Sequence, residues 1–273
     1  MSNATLRDVS TRGARLRVSD VGQGAPIVCL HGFLSSHRSF GDFAARASNG
    51  HRVVSVDLPG HGESEKPSPD RYRYDVDSMA DSVLDVIAAL GLGRVTLLGH
   101  GLGANVALSL AQGRPEVAQH LVVEVPALSA PRGPLPRALL RAPVLGDLSF
   151  RQVLGRGAFR RYFGRHVYAS TSTENRPLID ECYEAFNTPA ARQAAFAVFR
   201  HTQDPRSTVA RLPRITVPTL VVWGQDEAQQ GVEVGRRLCR MLPQGRLEVL
   251  PGKSPHEEAA SAFFDVVATF LKR

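Results

Sequence analysis

Residues 94–110 read Arg94-Val95-Thr96-Leu97-Leu98-Gly99-His100-Gly101-Leu102-Gly103-Ala104-Asn105-Val106-Ala107-Leu108-Ser109-Leu110. The first five are apolar and β-prone, and the run from Ala104 has helical composition. Between them stand three glycines at alternate positions. Small residues spaced in this way permit a sharp strand-to-helix turn, which lifts the side chain at its centre clear of the sheet. Here the centre is Gly101. The turn that would present an attacking atom therefore presents none. A glycine in so strained a turn is expected at positive φ.

The order of the remaining segments decides what this turn belongs to. Upstream, Ile27-Val28-Cys29-Leu30-His31-Gly32-Phe33-Leu34 is a buried strand running into a His-Gly turn. A second strand from Val53 leads into Asp57-Leu58-Pro59-Gly60-His61-Gly62-Glu63-Ser64. Downstream come a strand at Leu121–Val125 and the run Val217-Pro218-Thr219-Leu220-Val221-Val222-Trp223-Gly224. A dinucleotide fold is disfavoured, because the first strand does not open into Gly-x-Gly-x-x-Gly.

This succession resembles the α/β-hydrolase family over the whole chain apart from a central insert. It is similar to the capped esterase, C–C hydrolase and haloalkane dehalogenase branch of that family. The resemblance implies an α/β, doubly wound, mostly parallel sheet with a helical cap subdomain. Alternation of strands with helices of ten or more residues points the same way. The core is expected at 1–125 and 214–273 and the cap at 126–213, where five prolines between 126 and 143 break the alternation.

Local patterning predicts an antiparallel pair, Arg15–Val18 with Ile27–Leu30, and a helix at Ser39–Ala47. A helix at Ser78–Leu90 is expected to be capped by Asp77 and ended by Gly91. Cap helices are expected at Phe159–Tyr168, Leu178–Phe186 and Ala190–Phe199. After the cap come strand Thr219–Trp223, helix Val232–Met241, strand Leu247–Leu250 and a final helix Glu257–Leu271. Cap aromatics (Phe150, Phe159, Tyr162, Phe163, Tyr168, Tyr183, Phe186, Phe196 and Phe199) could line a pocket, but for any one of them holding the cap together is the preferred role.

Composition narrows the class. A chain of 273 residues with 43% hydrophobic and 22% charged residues suits one sizeable α/β domain with a subdomain. No apolar run is long enough for a bilayer, and the N-terminus lacks the plan of a signal peptide, so a cytoplasmic protein without membrane contact is expected. Cys29, Cys182 and Cys239 are odd in number and far apart, which suits reduced structural thiols. The net charge of +7 comes from 30 arginines and 3 lysines. No nucleic-acid motif organises them, so a solvated basic face is expected, with an acidic protein partner at the Arg-rich cap as the lesser alternative. No cofactor is implied, and no spacing of His, Cys or Asp suggests a metal.

The family's acyl-transfer members use a serine, a histidine that takes its proton and a carboxylate that orients the histidine. By resemblance the serine position is Gly101, and the carboxylate is Glu227, with Asp226 as the neighbouring alternative. The histidine position falls in Gly252-Lys253-Ser254-Pro255-His256-Glu257-Glu258, with Phe263 ten residues beyond Lys253. That register places Lys253 there and makes His256 a second, non-catalytic histidine; His256 as a displaced base is the minor alternative. The backbone amides of Phe33 and Leu102 correspond to the oxyanion hole, and His31 and His100 border it as scaffold. Lys253, paired with Glu227, is expected as a fixed cation beside a helix N-terminus, favouring a small anionic or carbonyl-containing ligand.

Three functions remain open. The first is a non-hydrolytic enzyme of lyase, isomerase, decarboxylase or cyclase type. The second is a catalytically silent ligand- or partner-binding protein. The third, a hydrolase without a covalent intermediate, is weakest, since neither nucleophile nor histidine base is present.

Overall fold

In the computed structural model, residues 4–127, 155–169, 176–202, 206–228 and 230–272 are described. Eight strands form one sheet: β1 (Thr5–Ser10), β2 (Arg15–Val21), β3 (Ala25–Leu30), β4 (His51–Val56), β5 (Val95–His100), β6 (Ala118–Glu124), β7 (Thr219–Gly224) and β8 (Gly245–Leu250). Their spatial order is β1-β2-β4-β3-β5-β6-β7-β8. All neighbours from β4 to β8 run parallel, and β2 is antiparallel to both β1 and β4.

The expected pairing of Arg15–Val18 with Ile27–Leu30 is not the one formed. Val18 faces Val56 on β4, while Ile27–Leu30 sits between β4 and β5. The reason lies in burial. Residues 27–30 are apolar on both faces and buried, as an interior parallel strand must be, whereas β2 alternates along its length. Strand β1, polar and largely exposed, gave no comparable signal.

Alternate residues of the central strands feed two cores. On one face Val28, Leu30, Leu97, Val123, Val221 and Trp223 pack under α2 (Val76–Ala89), α3 (Leu102–Gly113) and α8 (Gly231–Met241). On the other, Ile27, Cys29, Leu98, Val122 and Val222 meet α1 (Gly41–Ala47) and α10 (Ala260–Leu271) through Phe43, Phe263 and Val267. Each such side chain contributes roughly 1.5–3 kcal/mol on leaving water.

Helix α2 is capped two residues before the expected Asp77. Asp75, in extended backbone, accepts from the Ser78 amide at 2.7 Å, which is N-cap geometry. Asp77 instead accepts from Ser109 on α3 and is ion-paired to Arg211, on α7 (Arg206–Arg211). Gly91 at φ 60° ends the helix as anticipated. The expected final helix is split into α9 (Pro255–Glu258) and α10 by Ala259, at φ −132° and ψ 42°.

Three helices of the insert are described: α4 (Arg156–His166), α5 (Arg176–Phe186) and α6 (Pro189–His201). Phe159, Phe163, Tyr168, Tyr183, Phe186 and Phe196 form a separate apolar cluster among them. Most cap aromatics thus hold the cap together, and Tyr162 and Phe163 also reach the cavity beneath it. Phe150 lies outside the described residues.

Candidate active site

The turn at the end of β5 is built around two close backbone approaches. The Gly103 amide donates to the His31 carbonyl at 3.1 Å, and a Cβ on Gly103 would lie 2.0 Å from the Leu30 carbonyl oxygen. Nothing larger than glycine fits there. Gly101 caps α3 at φ 54° and ψ −110°, the strained turn expected from sequence. A Cβ at this position would meet only the Gly32 Cα, at 3.7 Å. Space for a side chain is present, and glycine leaves it open.

A cavity of about 160 Å³ lies above this turn, between the β-strand ends and the cap. Gly101, Leu102, Phe33 and His100 line its floor; Tyr162, Phe163 and Val167 come from the cap side. Among the described residues neither the Phe33 nor the Leu102 amide donates to a protein acceptor. Leu102 opens α3, so its amide is one of the unsatisfied donors of a helix N-terminus.

Glu227, Gln230, Lys253 and Glu257 complete the polar wall. Glu227 is buried, whereas Asp226 is exposed and accepts from the Gly252 amide at 3.1 Å, bracing that turn. The structure therefore turns Glu227, not Asp226, toward the cavity. Lys253 is there too, and its ammonium donates to the Arg165 carbonyl of the cap at 3.1 Å. Among the described residues, Glu227, Glu257 and Lys253 thus edge the cavity together.

His31 takes no part in the lining. Its Nε2 accepts from the Leu58 amide at 3.0 Å and its Nδ1 lies 2.7 Å from the Gly32 carbonyl, so it ties two loops together. Burial holds its pKa down, keeping it neutral. His100 is the wall residue of the two, and burial lowers its pKa to about 4, helped by the cation beside it.

That cation is His256. Its Nδ1 lies 2.8 Å from Glu124 and its Nε2 lies 3.2 Å from Glu257, with the His256 and Glu124 side chains fully buried. The ring sits between Phe40 and His100, at 4.7 Å from each ring centre. Burial alone would lower its pKa, but the Glu124 and Glu257 charges overcome this and raise it to about 10. Burial would likewise raise Glu124, and the His256 charge outweighs it, leaving that carboxyl below its ordinary range. His256 is thus an imidazolium with a carboxylate oxygen close to each nitrogen, which does not suit the role of a displaced base.

Sequence reasoning missed Glu124. Its signal was a lone acid ending the apolar run Leu121-Val122-Val123. His100, Glu124 and His256 are the one group of potential metal ligands among the described residues. Their arrangement fits a charge network better. The 2.8 Å contact is closer than the about 3.3 Å that separates two ligands of a tetrahedral zinc ion.

Loop 253–258 also fastens the cap. The Tyr168 hydroxyl donates to Glu257, the Ala169 amide donates to Glu258 at 2.7 Å, and the Ser254 hydroxyl donates to the Val167 carbonyl at 2.6 Å. No described helix is long and apolar enough to cross a membrane.

This chain belongs to the alpha/beta hydrolase family, whose profile matches residues 27–266. It is 27% identical over 280 residues to a putative 2-succinyl-6-hydroxy-2,4-cyclohexadiene-1-carboxylate synthase of Bacillus subtilis, covering 98% of this chain and 97% of that protein. It is 29% identical over 284 residues to a 2-hydroxy-6-oxononadienedioate/2-hydroxy-6-oxononatrienedioate hydrolase of Burkholderia vietnamiensis, covering 96% and 93%. Among solved structures, a thermophilic esterase from Thermogutta terrifontis superposes with a TM-score of 0.82 at 22% identity, over 98% of each chain.

Proposed function

We propose that this member of the alpha/beta hydrolase family has lost the serine–histidine pair and is a non-hydrolytic enzyme acting on a small carbonyl-bearing molecule bound under the cap. The observation that carries this is the state of the turn. Gly101 holds the strained geometry of a nucleophile position with open space above it and no attacking atom, while the Phe33 and Leu102 amides remain undonated at the same cavity wall. Donors aimed where negative charge develops are useful to enolate chemistry as much as to acyl transfer. Lyase or isomerase chemistry needs such a site and a proton-handling group, and it needs no covalent intermediate. One relative named as a synthase shows that the family's members are not all named for hydrolysis.

The wall decides between ligand classes. Glu227 and Glu257 face the cavity, and the Lys253 ammonium is held by the Arg165 carbonyl. Glu257 disfavours a free carboxylate beside it, so a carbonyl oxygen at the two amides is the better occupant.

The test is reaction with a fluorophosphonate probe together with p-nitrophenyl ester turnover. Neither stoichiometric labelling nor turnover above background is expected. Robust hydrolysis lost on His256→Gln would overturn the reading and restore His256 as a base.

A further inference from the structure

We propose that Glu257 is the proton acceptor that this cavity offers to its ligand, held in place by buried His256 and by Tyr168 of the cap. Three observations meet at this side chain. It lines the cavity that holds Gly101 and the Phe33 and Leu102 amides. One carboxylate oxygen faces the His256 imidazolium at 3.2 Å, and the other accepts from the Tyr168 hydroxyl. Behind His256 stands Glu124, so the cation is neutralised twice and its proton is not free to leave. Glu257 is therefore the reactive end of a chain whose other members are fixed in protonation state.

The inference rests on the reading that a carbonyl oxygen lies at the two amides. The carboxylate takes a proton from the carbon beside that carbonyl. The C–H bonding pair becomes the carbon–carbon π bond, and the carbonyl π pair moves to oxygen as an enolate held by the Phe33 and Leu102 amides. Where the ligand carries a double bond conjugated with the enolate, returning the proton to its far carbon shifts both double bonds and isomerises the molecule. Expelling a β-substituent with its bonding pair eliminates it.

Other ionisable groups face Glu257, and most cannot gain a proton near neutral pH. His256 already carries one, Tyr168 and Cys182 are held neutral by burial and by Glu257 itself, and His100 is held neutral by burial. Glu227 and His166, which also line the cavity, are the remaining candidates.

The test uses 4-nitrophenolate, whose phenolic oxygen mimics the enolate and whose visible band reports its ionisation. Calorimetric titration in buffers of different ionisation enthalpy counts protons taken up on binding. With the phenolate at the amides and Glu257 as acceptor, about one proton is taken up per phenolate bound. In Glu257→Gln the uptake is lost while phenolate binding persists. Tyr168→Phe removes a hydrogen bond that favours the charged carboxylate, so uptake extends to higher pH. Binding without uptake, unchanged uptake in Glu257→Gln, or an unmoved pH profile in Tyr168→Phe would each overturn the role of Glu257 and leave the oxyanion site standing. Absence of phenolate binding would overturn the oxyanion site, and this inference with it.

Discussion

Replacing Glu124 by glutamine keeps the shape of the side chain and removes the charge that holds His256 as a cation. Both side chains are fully buried, with 2.8 Å between Nδ1 and the carboxylate. Breaking a buried pair by removing one partner costs roughly 3–5 kcal/mol, because the other charge is left uncompensated. Glu257 still faces the second nitrogen at 3.2 Å, so the lower end, about 3 kcal/mol, is expected. At roughly 2–4 °C per kcal/mol for a chain of this size, Tm falls by about 6–12 °C.

The pH dependence has a definite sign. The folded pKa of His256, about 10, lies above its ordinary value of 6.5. Its stabilisation is therefore fully present below about 6.5 and is lost as pH rises through about 10. The gap between wild type and Glu124→Gln should narrow across that window. On the acid side, Glu124 lies below its ordinary 4.5, so its contribution disappears as pH falls through the folded value. Urea denaturation of both proteins at pH 7 and pH 9.5, with two-state behaviour checked by two probes, measures the difference. A gap below about 1 kcal/mol at pH 7, or one that widens with pH, would refute the charged pair.

Gly101→Ser should fold, since the added Cβ would meet only Gly32 at 3.7 Å; its φ of 54° should cost about 1–2 kcal/mol, read by thermal denaturation. On the proposed loss of the serine–histidine pair, the same variant should gain no esterase activity, since a serine alone lacks the imidazole that takes its proton. Gly103→Ala should fail to give soluble protein, since a Cβ 2.0 Å from the Leu30 carbonyl oxygen has only backbone to displace; a folded circular dichroism spectrum would contradict the tight packing of β3 against α3.

Some features of this protein are set locally and are legible along the chain. The strand–glycine–helix run 94–110 determined the turn, because positive φ at Gly101 and the lack of space at Gly103 are tolerated by one residue type. Apolar runs at 27–30, 121–123 and 220–223 determined a parallel interior sheet, since only strands buried on both faces lose polar residues from both. The identities at 101 and 253 were likewise open to inspection. What the chain order cannot convey is which distant side chains share one low-dielectric volume. Glu124 ends β6 and His256 lies in α9, 132 residues later, and the sheet brings them to 2.8 Å. Their protonation states follow from that burial and contact, as does the turning of Glu227 and Glu257, and not Asp226, toward the cavity. Tertiary packing also spent the Lys253 ammonium on a cap carbonyl. Pattern along a strand or helix follows from local geometry, whereas the charge on a buried group depends on neighbours supplied only by the folded chain.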